Sequence, residues 1–210
     1  MALSKIVKIN DKLWWALWKI DAPWQEMLNA KLLLDSDILG LSAVSHDIKK
    51  AEFLASRLAL RSVFNAFGVT QFDIYKDDHG KPYVDNPSYH VSLANSYPYA
   101  VAALHLGQPN GIDIEKPADK LLRVQHKFLK ESEVKLAKNH TNRLCLAWCV
   151  KECIYKIHGK KGLSLKNHIR LSSLPDIKYG SVIATLEIDD PIDYLLHVEQ
   201  LDGYFIVFNL

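Results

Sequence analysis

The chain has 210 residues, 49% of them hydrophobic and 24% charged, with a formal net charge of +2 at neutral pH. That length suits one large domain or two small ones with a core that needs no disulfide or metal staple. The near-balanced charge argues against a general nucleic-acid footprint, and no apolar run approaches the roughly 18 residues of a membrane helix.

The N-terminus, "MALSKIVKINDK", lacks the apolar stretch and small-residue cleavage site of a secretory signal, so a cytoplasmic protein is expected. "KLWWALWKI" (12–20) predicts a strand. Trp14, Trp15 and Trp18 read as packing residues, because no basic residues interleave with them as a single-strand binder requires. "DIKKAEFLASRLALRSVFNAFG" (47–68) predicts a helix that Asp47 caps and Gly68 ends. It is apolar on most sides and should be largely buried. Arg57 and Arg61 stand one turn apart on one face. They either snorkel to solvent or form a phosphate clamp at the edge of a cleft.

"FDIYKDDHGKPYV" predicts two short strand-like pieces around the turn signal Asp-His-Gly-Lys-Pro. "YHVSLANSYPYAVAALHL" and "GIDIEK" predict a strand, a turn around Asn95–Pro98, and two more strands. "RVQHKFLKESEVKLAK" (123–138) and "NRLCLAWCVKECIYKIHG" (142–159) predict helices, and the tail predicts a run of short strands. No solenoid repeat or low-complexity segment interrupts this order. It suggests an α+β chain of two rather similar halves meeting near residue 108: an N-terminal lobe 1–107 and a C-terminal lobe 108–210.

The three cysteines, Cys145, Cys149 and Cys153, share one helical stripe. A spacing of four is too long for a disulfide within one helix. A thiolate metal site would need further ligands; the other reading is small, reduced side chains.

In "GIDIEK", strand alternation points Asp113 and Glu115 one way and Ile112 and Ile114 into the core. Two adjacent carboxylates repel, unless they stand in water or share a cation such as magnesium. The plainer reading is an edge strand with a solvated acidic face. In the later helix, Ala147, Val150, Ile154 and Ile157 make one apolar stripe. Glu152 and Lys156 lie opposite, one turn apart; as a surface ion pair they would contribute roughly 0.3–0.5 kcal/mol. Lys151 lies toward the flank of the buried stripe, where it reaches something specific or snorkels. Should Glu152 face Asp113 and Glu115, three carboxylates would surround one cation, with Lys151 and Lys156 placed for phosphates.

The ordered series "GIDIEK", "FLKESE", "AWCVKECIYK" and "GKKGLSL" resembles the signature of the 4′-phosphopantetheinyl transferases, in their monomeric, two-lobed, surfactin-synthetase-activating type. The matching elements are Gly111, Asp113, Glu115, Trp148, Lys151, Glu152 and Lys156. "HGKPYV", "VSLANSYPYAVAAL" and "FLASRLALRSVF" resemble upstream segments of the same family, so the likeness covers roughly residues 50–167. It implies two pseudo-symmetric α+β lobes, each a small, mostly antiparallel sheet packed with helices. It implies a magnesium-dependent, holo-acyl-carrier-protein synthase activity. The phosphopantetheine arm of coenzyme A passes to a serine of an apo acyl or peptidyl carrier protein, and adenosine 3′,5′-bisphosphate is released.

By the same resemblance, Asp113, Glu115 and Glu152 bind magnesium. Glu152, Lys156 and Glu133 serve catalysis, Glu133 by helping to take the serine proton. Lys81, Lys151 and Lys156 contact coenzyme A phosphates, and Arg57 and Arg61 serve its nucleotide end. A monomer is implied, with no nucleic-acid or membrane partner. Two departures stand out. Ala94 and Asn95 precede Ser96 where the family has Ser-His, and that histidine is associated with the coenzyme A 3′-phosphate; Asn95 brings a hydrogen bond but no charge. Cys149 replaces a serine or threonine, a small-for-small change. Ala94 and Asn95 support the rival reading, a non-catalytic module that binds coenzyme A or a carrier protein. A magnesium-dependent hydrolase of coenzyme A is the third.

Overall fold

Alternating apolar side chains closed by short turns build the sheets of the chain from antiparallel strands. The computed structural model describes residues 2–175 and 179–210. It falls into two units, Met1–Asn110 and Gly111–Leu210.

The first unit opens with β1 (Ala2–Lys8) and β2 (Leu13–Lys19), followed by α1 (Trp24–Met27), α2 (Asp35–Leu41) and α3 (Asp47–Ala66). A two-stranded ribbon, β3 (Tyr75–Lys76) and β4 (Pro82–Tyr83), leads to the hairpin β5 (Tyr89–Ser96) and β6 (Tyr99–Leu106). The main sheet runs β1-β2-β6-β5, every neighbour antiparallel. α3 lies on one face, where Leu54, Leu58 and Phe64 join Ala16, Ala100, Ala102 and Leu104 in one core. It ends where Gly68 takes φ +89°, a conformation open to glycine at no steric cost. Asp47 is the first helical residue rather than the cap, and its carboxylate accepts the indole N–H of Trp24 at 2.9 Å. β1, α1 and α2 are additions to the expected order. α1 spans one turn and α2 seven residues, too short to display a helical period.

The second unit holds β7 (Ile112–Glu115), α4 (Lys120–Phe128), α5 (Glu131–Ala137), α6 (Thr141–His158) and α7 (Leu165–His168). After them come β8 (Ile169–Leu171), β9 (Tyr179–Leu186), β10 (Ile192–Leu201) and β11 (Tyr204–Asn209). Its sheet is antiparallel in the order β7-β11-β10-β9-β8. The single helix expected over 123–138 is two, α4 and α5. Leu129 and Lys130 turn extended between them (ψ 140° and 160°). The carboxylate of Glu133 accepts the Lys130 N–H at 2.8 Å, so the chain starts a new helix there instead of continuing the old one.

α6 packs on the sheet through Ala147, Val150 and Ile154 against Val182, Ala184, Leu196, Val198, Phe205 and Val207. The three cysteines are its seam. All are buried and carry no disulfide. Cys145 Sγ lies 3.4 Å from the Glu115 carbonyl, and Cys153 Sγ donates to the Gly111 carbonyl at 3.1 Å. Small side chains let the helix backbone come close to β7 at Gly111. A Cβ built on Gly111 would stand 2.2 Å from the Cys153 carbonyl oxygen and 3.1 Å from Ile157 Cγ1. Only glycine leaves room there. Gly111→Ala therefore pushes α6 off β7, and the denaturation midpoint should report a loss of about 2–3 kcal/mol; an unchanged midpoint would show that the approach is looser than described.

Candidate active site

β7 is an edge strand, yet its acidic side chains do not face water. Asp113 and Glu115 stand across from Val207 and Phe205 of β11, both in the core under α6. Ile112 and Ile114 take the opposite face of the sheet with Phe208 and Ile206, and are also buried. The isoleucines are buried as expected, and the carboxylates on the other face look toward the helix. The reason is the close seat of α6, which brings its polar flank over β7.

Asp113 is only 7% exposed. Lys156 Nζ, from the last turn of α6, donates to Asp113 Oδ1 at 2.7 Å and to the Ile112 carbonyl at 2.9 Å. Asp113 Oδ2 is buried with no hydrogen-bond partner among the described residues. Burial pushes the Asp113 carboxyl up, against the opposing pull of Lys156. Glu115 is half-buried, with Lys120 Nζ 3.5 Å from its Oε1. Glu152 is pushed up to about 7, first by burial and then by the negative charge of Asp113 and, more weakly, Glu115, with Lys156 opposing. Glu152 thus feels the charge of both other acids.

The three acids are not preassembled as a coordination sphere: among the described residues no group of three or more His, Cys, Asp or Glu side chains is gathered tightly enough to hold a metal ion. Lys156 already neutralises one oxygen of Asp113. The donor set nevertheless fits a hard divalent cation. It is all oxygen, it contains an orphaned buried carboxylate oxygen, and its charges are short of compensation.

Lys151 and Glu133, expected at phosphates and at the serine proton, sit elsewhere. Lys151 is 0% exposed. Its ammonium donates to Glu133 Oε2 at 2.7 Å and to the carbonyls of Leu165 and Ile169 at 2.9 and 2.7 Å. Those three bonds use its three protons. Glu133 also accepts the N–H groups of Lys130 and Leu171, each at 2.8 Å. The pair is a closed strut joining α5, α6, α7 and β8. Nothing in it is left to offer a phosphate or a hydroxyl. The signal was present locally, because Glu133 stands three residues after Lys130 at a helix start, but its partner at Leu171 was too distant in sequence to read.

Trp148 lies one turn before Glu152 on α6 and meets Phe128 edge-on, with ring centroids 5.1 Å apart. Together with Val124, Lys127, Ser164 and Leu165 they line a cavity of about 470 Å³ that the sequence did not suggest.

In the first unit, Arg57 and Arg61 do not form one clamp. Arg61 is buried, bonded through Nε to Asp37 Oδ2 and through Nη1 to the Phe72 carbonyl at 3.1 Å. Arg57 lines a cavity of about 430 Å³ whose wall also includes Lys49, Ser56, Lys76 and the exposed Asn95. Lys81 is half-buried between Gly80 and Pro82, two further lining residues, and its ammonium is pushed down by burial.

The raised carboxyl of Glu152 fixes a pH dependence in the cation-free protein. Between its ordinary 4.5 and about 7, the folded chain keeps a proton that the unfolded chain releases, so stability falls as pH rises through that window. Glu152→Gln should flatten the fall and melt above the unsubstituted protein at about pH 8, with chelator present; superimposable pH–melting curves would contradict the crowding of the three acids.

Residues 109–207, nearly the whole second unit, match the family model described as the 4′-phosphopantetheinyl transferase superfamily. The chain is also 33% identical over 128 residues to 4′-phosphopantetheinyl transferase Sfp of Bacillus subtilis (strain 168), an alignment covering 53% of this chain and 56% of that protein. The chain thus spans about half the length of the curated relative it matches. Among the described residues no helix is long and apolar enough to cross a membrane. The Gly-Ile-Asp-Ile-Glu strand and the Trp-x-x-Lys-Glu-x-x-x-Lys helix both lie inside the segment that matches this superfamily.

Proposed function

We propose that the chain transfers the 4′-phosphopantetheine arm of coenzyme A to a serine of an apo acyl or peptidyl carrier protein, with magnesium, in the cytoplasm and as a monomer. The observation that supports this best is the buried Asp113–Lys156 pair with Glu152 beside it, inside the segment that matches the superfamily. The first unit, Met1–Asn110, carries a separate cavity with cationic side chains on its wall.

The serine oxygen attacks a phosphorus of the donor's diphosphate. A new P–O bond forms, the bond to the nucleotide phosphate breaks, and the electron pair leaves with adenosine 3′,5′-bisphosphate. Held by Asp113, Glu115 and Glu152, magnesium would supply the positive charge that such a diphosphate needs before an oxygen nucleophile can approach. Lys156 has two of its three ammonium protons committed, to Asp113 and Ile112, and the third can meet a phosphate oxygen. The serine proton passes to a carboxylate. Glu152 suits that role, since it is half-buried and makes no hydrogen bond among the described residues, whereas Glu133 is enclosed. Lys151 and Glu133 act by holding α6 in place.

The test mixes the protein with magnesium, coenzyme A and several apo carrier proteins and weighs the carriers by mass spectrometry. A gain of one phosphopantetheine is expected, absent in Asp113→Ala and Glu152→Ala although both fold. A complex without mass gain would mean a binding module instead. Free phosphopantetheine released without any carrier would mean hydrolysis.

A further inference from the structure

We propose that Asn209, at the end of β11, is a positioning residue for the acid site: its side-chain carbonyl pins Gly111 and so decides which face of β7 lies beneath α6. The inference rests on the transferase reading for what the acids do, but its geometry stands on the second unit alone.

β7 is a short element to carry two metal ligands. It has four residues, lies at the edge of its sheet and pairs with β11. In such a strand a slip of one residue turns every side chain to the opposite face. Ile112 and Ile114 would then lie beneath α6, and Asp113 and Glu115 would turn away from Lys156 and Glu152. Burial does not choose between the two registers, because Ile112, Ile114 and Asp113 are all buried.

The choice is made at the start of the strand. The ladder to β11 ends at Ile112 opposite Phe208. One step further, Oδ1 of Asn209 accepts the Gly111 N–H at 2.8 Å, a buried bond between segments far apart in sequence. Asn209 is 6% exposed, and its backbone stands opposite Leu196 of β10, so the interior of the sheet sets its place. A spacing of two puts it on the α6 face with Phe205 and Val207. From the helix side, Cys153 Sγ donates to the Gly111 carbonyl at 3.1 Å. The N–H and C=O of Gly111 are thus both held by side chains, one from the sheet and one from α6. The missing Cβ permits the close seat, and the Asn209 acceptor draws Gly111 into it. A slip would set Asn110 or Ile112 there. Either would press a Cβ toward the Cys153 carbonyl, and neither would aim an N–H at Asn209, because N–H groups alternate in direction along a strand. The buried acceptor would lose its donor, which is costly.

NMR spectroscopy of the full chain reads the register from cross-strand contacts between Asp113 and Val207, which face each other, and reads magnesium binding from a titration of the same sample. Asn209→Leu keeps the size and removes the acceptor. In the folded variant the Asp113–Val207 contacts should be lost or doubled, and magnesium should bind about tenfold or more weakly, as when a partner that orients a metal ligand is removed. Asn209→Asp keeps an acceptor at the same place and should retain both. A merely structural role would lower the melting temperature of Asn209→Leu and leave register and magnesium affinity unchanged; that result overturns the proposal, as does an Asn209→Asp variant that behaves like Asn209→Leu. If Asn209→Leu does not fold, hydrogen exchange at the Gly111 amide of the unsubstituted protein decides. Exchange as slow as that of the β11 amides is expected, and exchange as fast as that of exposed amides overturns the proposal. A lost register in Asn209→Leu, with no magnesium response even in the unsubstituted protein, would uphold this inference and sink the metal reading. An equal magnesium response in both, with the contacts intact, would do the reverse.

Discussion

The site depends on how closely α6 approaches β7 at Gly111. A helix backbone rarely comes within contact of a strand backbone, because Cβ atoms hold them apart. Here one side lacks a Cβ and the other presents thiols small enough to aim at backbone carbonyls. The consequence is electrostatic. Asp113 and Glu115, on the edge strand of a sheet, are placed beneath a helix instead of in water, and Asp113 is desolvated. Lys156 then reaches Asp113, and Glu152 one turn earlier comes near enough to feel both acids. The raised carboxyl of Glu152, the orphaned oxygen of Asp113 and the short reach of Lys156 follow from the same seat.

Two lysine–carboxylate pairs on α6 show what this proximity is for. Lys151 and Glu133 are fully enclosed, and every proton and nearly every lone pair has a partner. Such a pair fixes geometry and would be costly to break, since either partner alone would be an uncompensated buried charge. Lys156 and Asp113 are also largely buried, but they are unsaturated: one carboxylate oxygen lacks a partner and one ammonium proton is uncommitted. The closed pair holds the helix, and the open pair keeps an unmet oxygen and an uncommitted proton. Both lysines come from the six residues 151–156 of α6, and only the packing separates their roles. The same contrast recurs on the first unit, where Arg61 is bonded and enclosed while Arg57, one turn away and also buried, makes no hydrogen bond among the described residues.

Much of this was legible in the sequence. The strand over 12–20, the helices at 47–68 and 142–159 and the strands around residue 95 follow from period and turn residues, which are local. The spacing of Gly111, Asp113, Glu115, Glu152 and Lys156 is local in two pieces, and the resemblance joined them. What could not be read was the face. Alternation gives two faces for β7, and the hydrophobic rule buries Ile112 and Ile114 without saying that a helix covers the other face. Both faces are buried, so the rule had no purchase. Lys151 was misread for a similar reason. A lysine at the flank of an apolar stripe is expected to reach outward, and its carboxylate and carbonyl partners at residues 133, 165 and 169 are brought in by tertiary structure alone. The break between α4 and α5 likewise depends on Glu133 being held by partners outside its own helix.

The most direct measurement of the central claim is the melting temperature of the protein alone across a range of magnesium concentrations, compared with Asp113→Asn. A cation that binds only the folded chain stabilises it in proportion to the logarithm of its concentration above the dissociation constant. The account predicts such a rise in the unsubstituted protein and a flat line in the variant. A flat line in both, or an equal rise in both, would mean that the acids beneath α6 do not hold a cation.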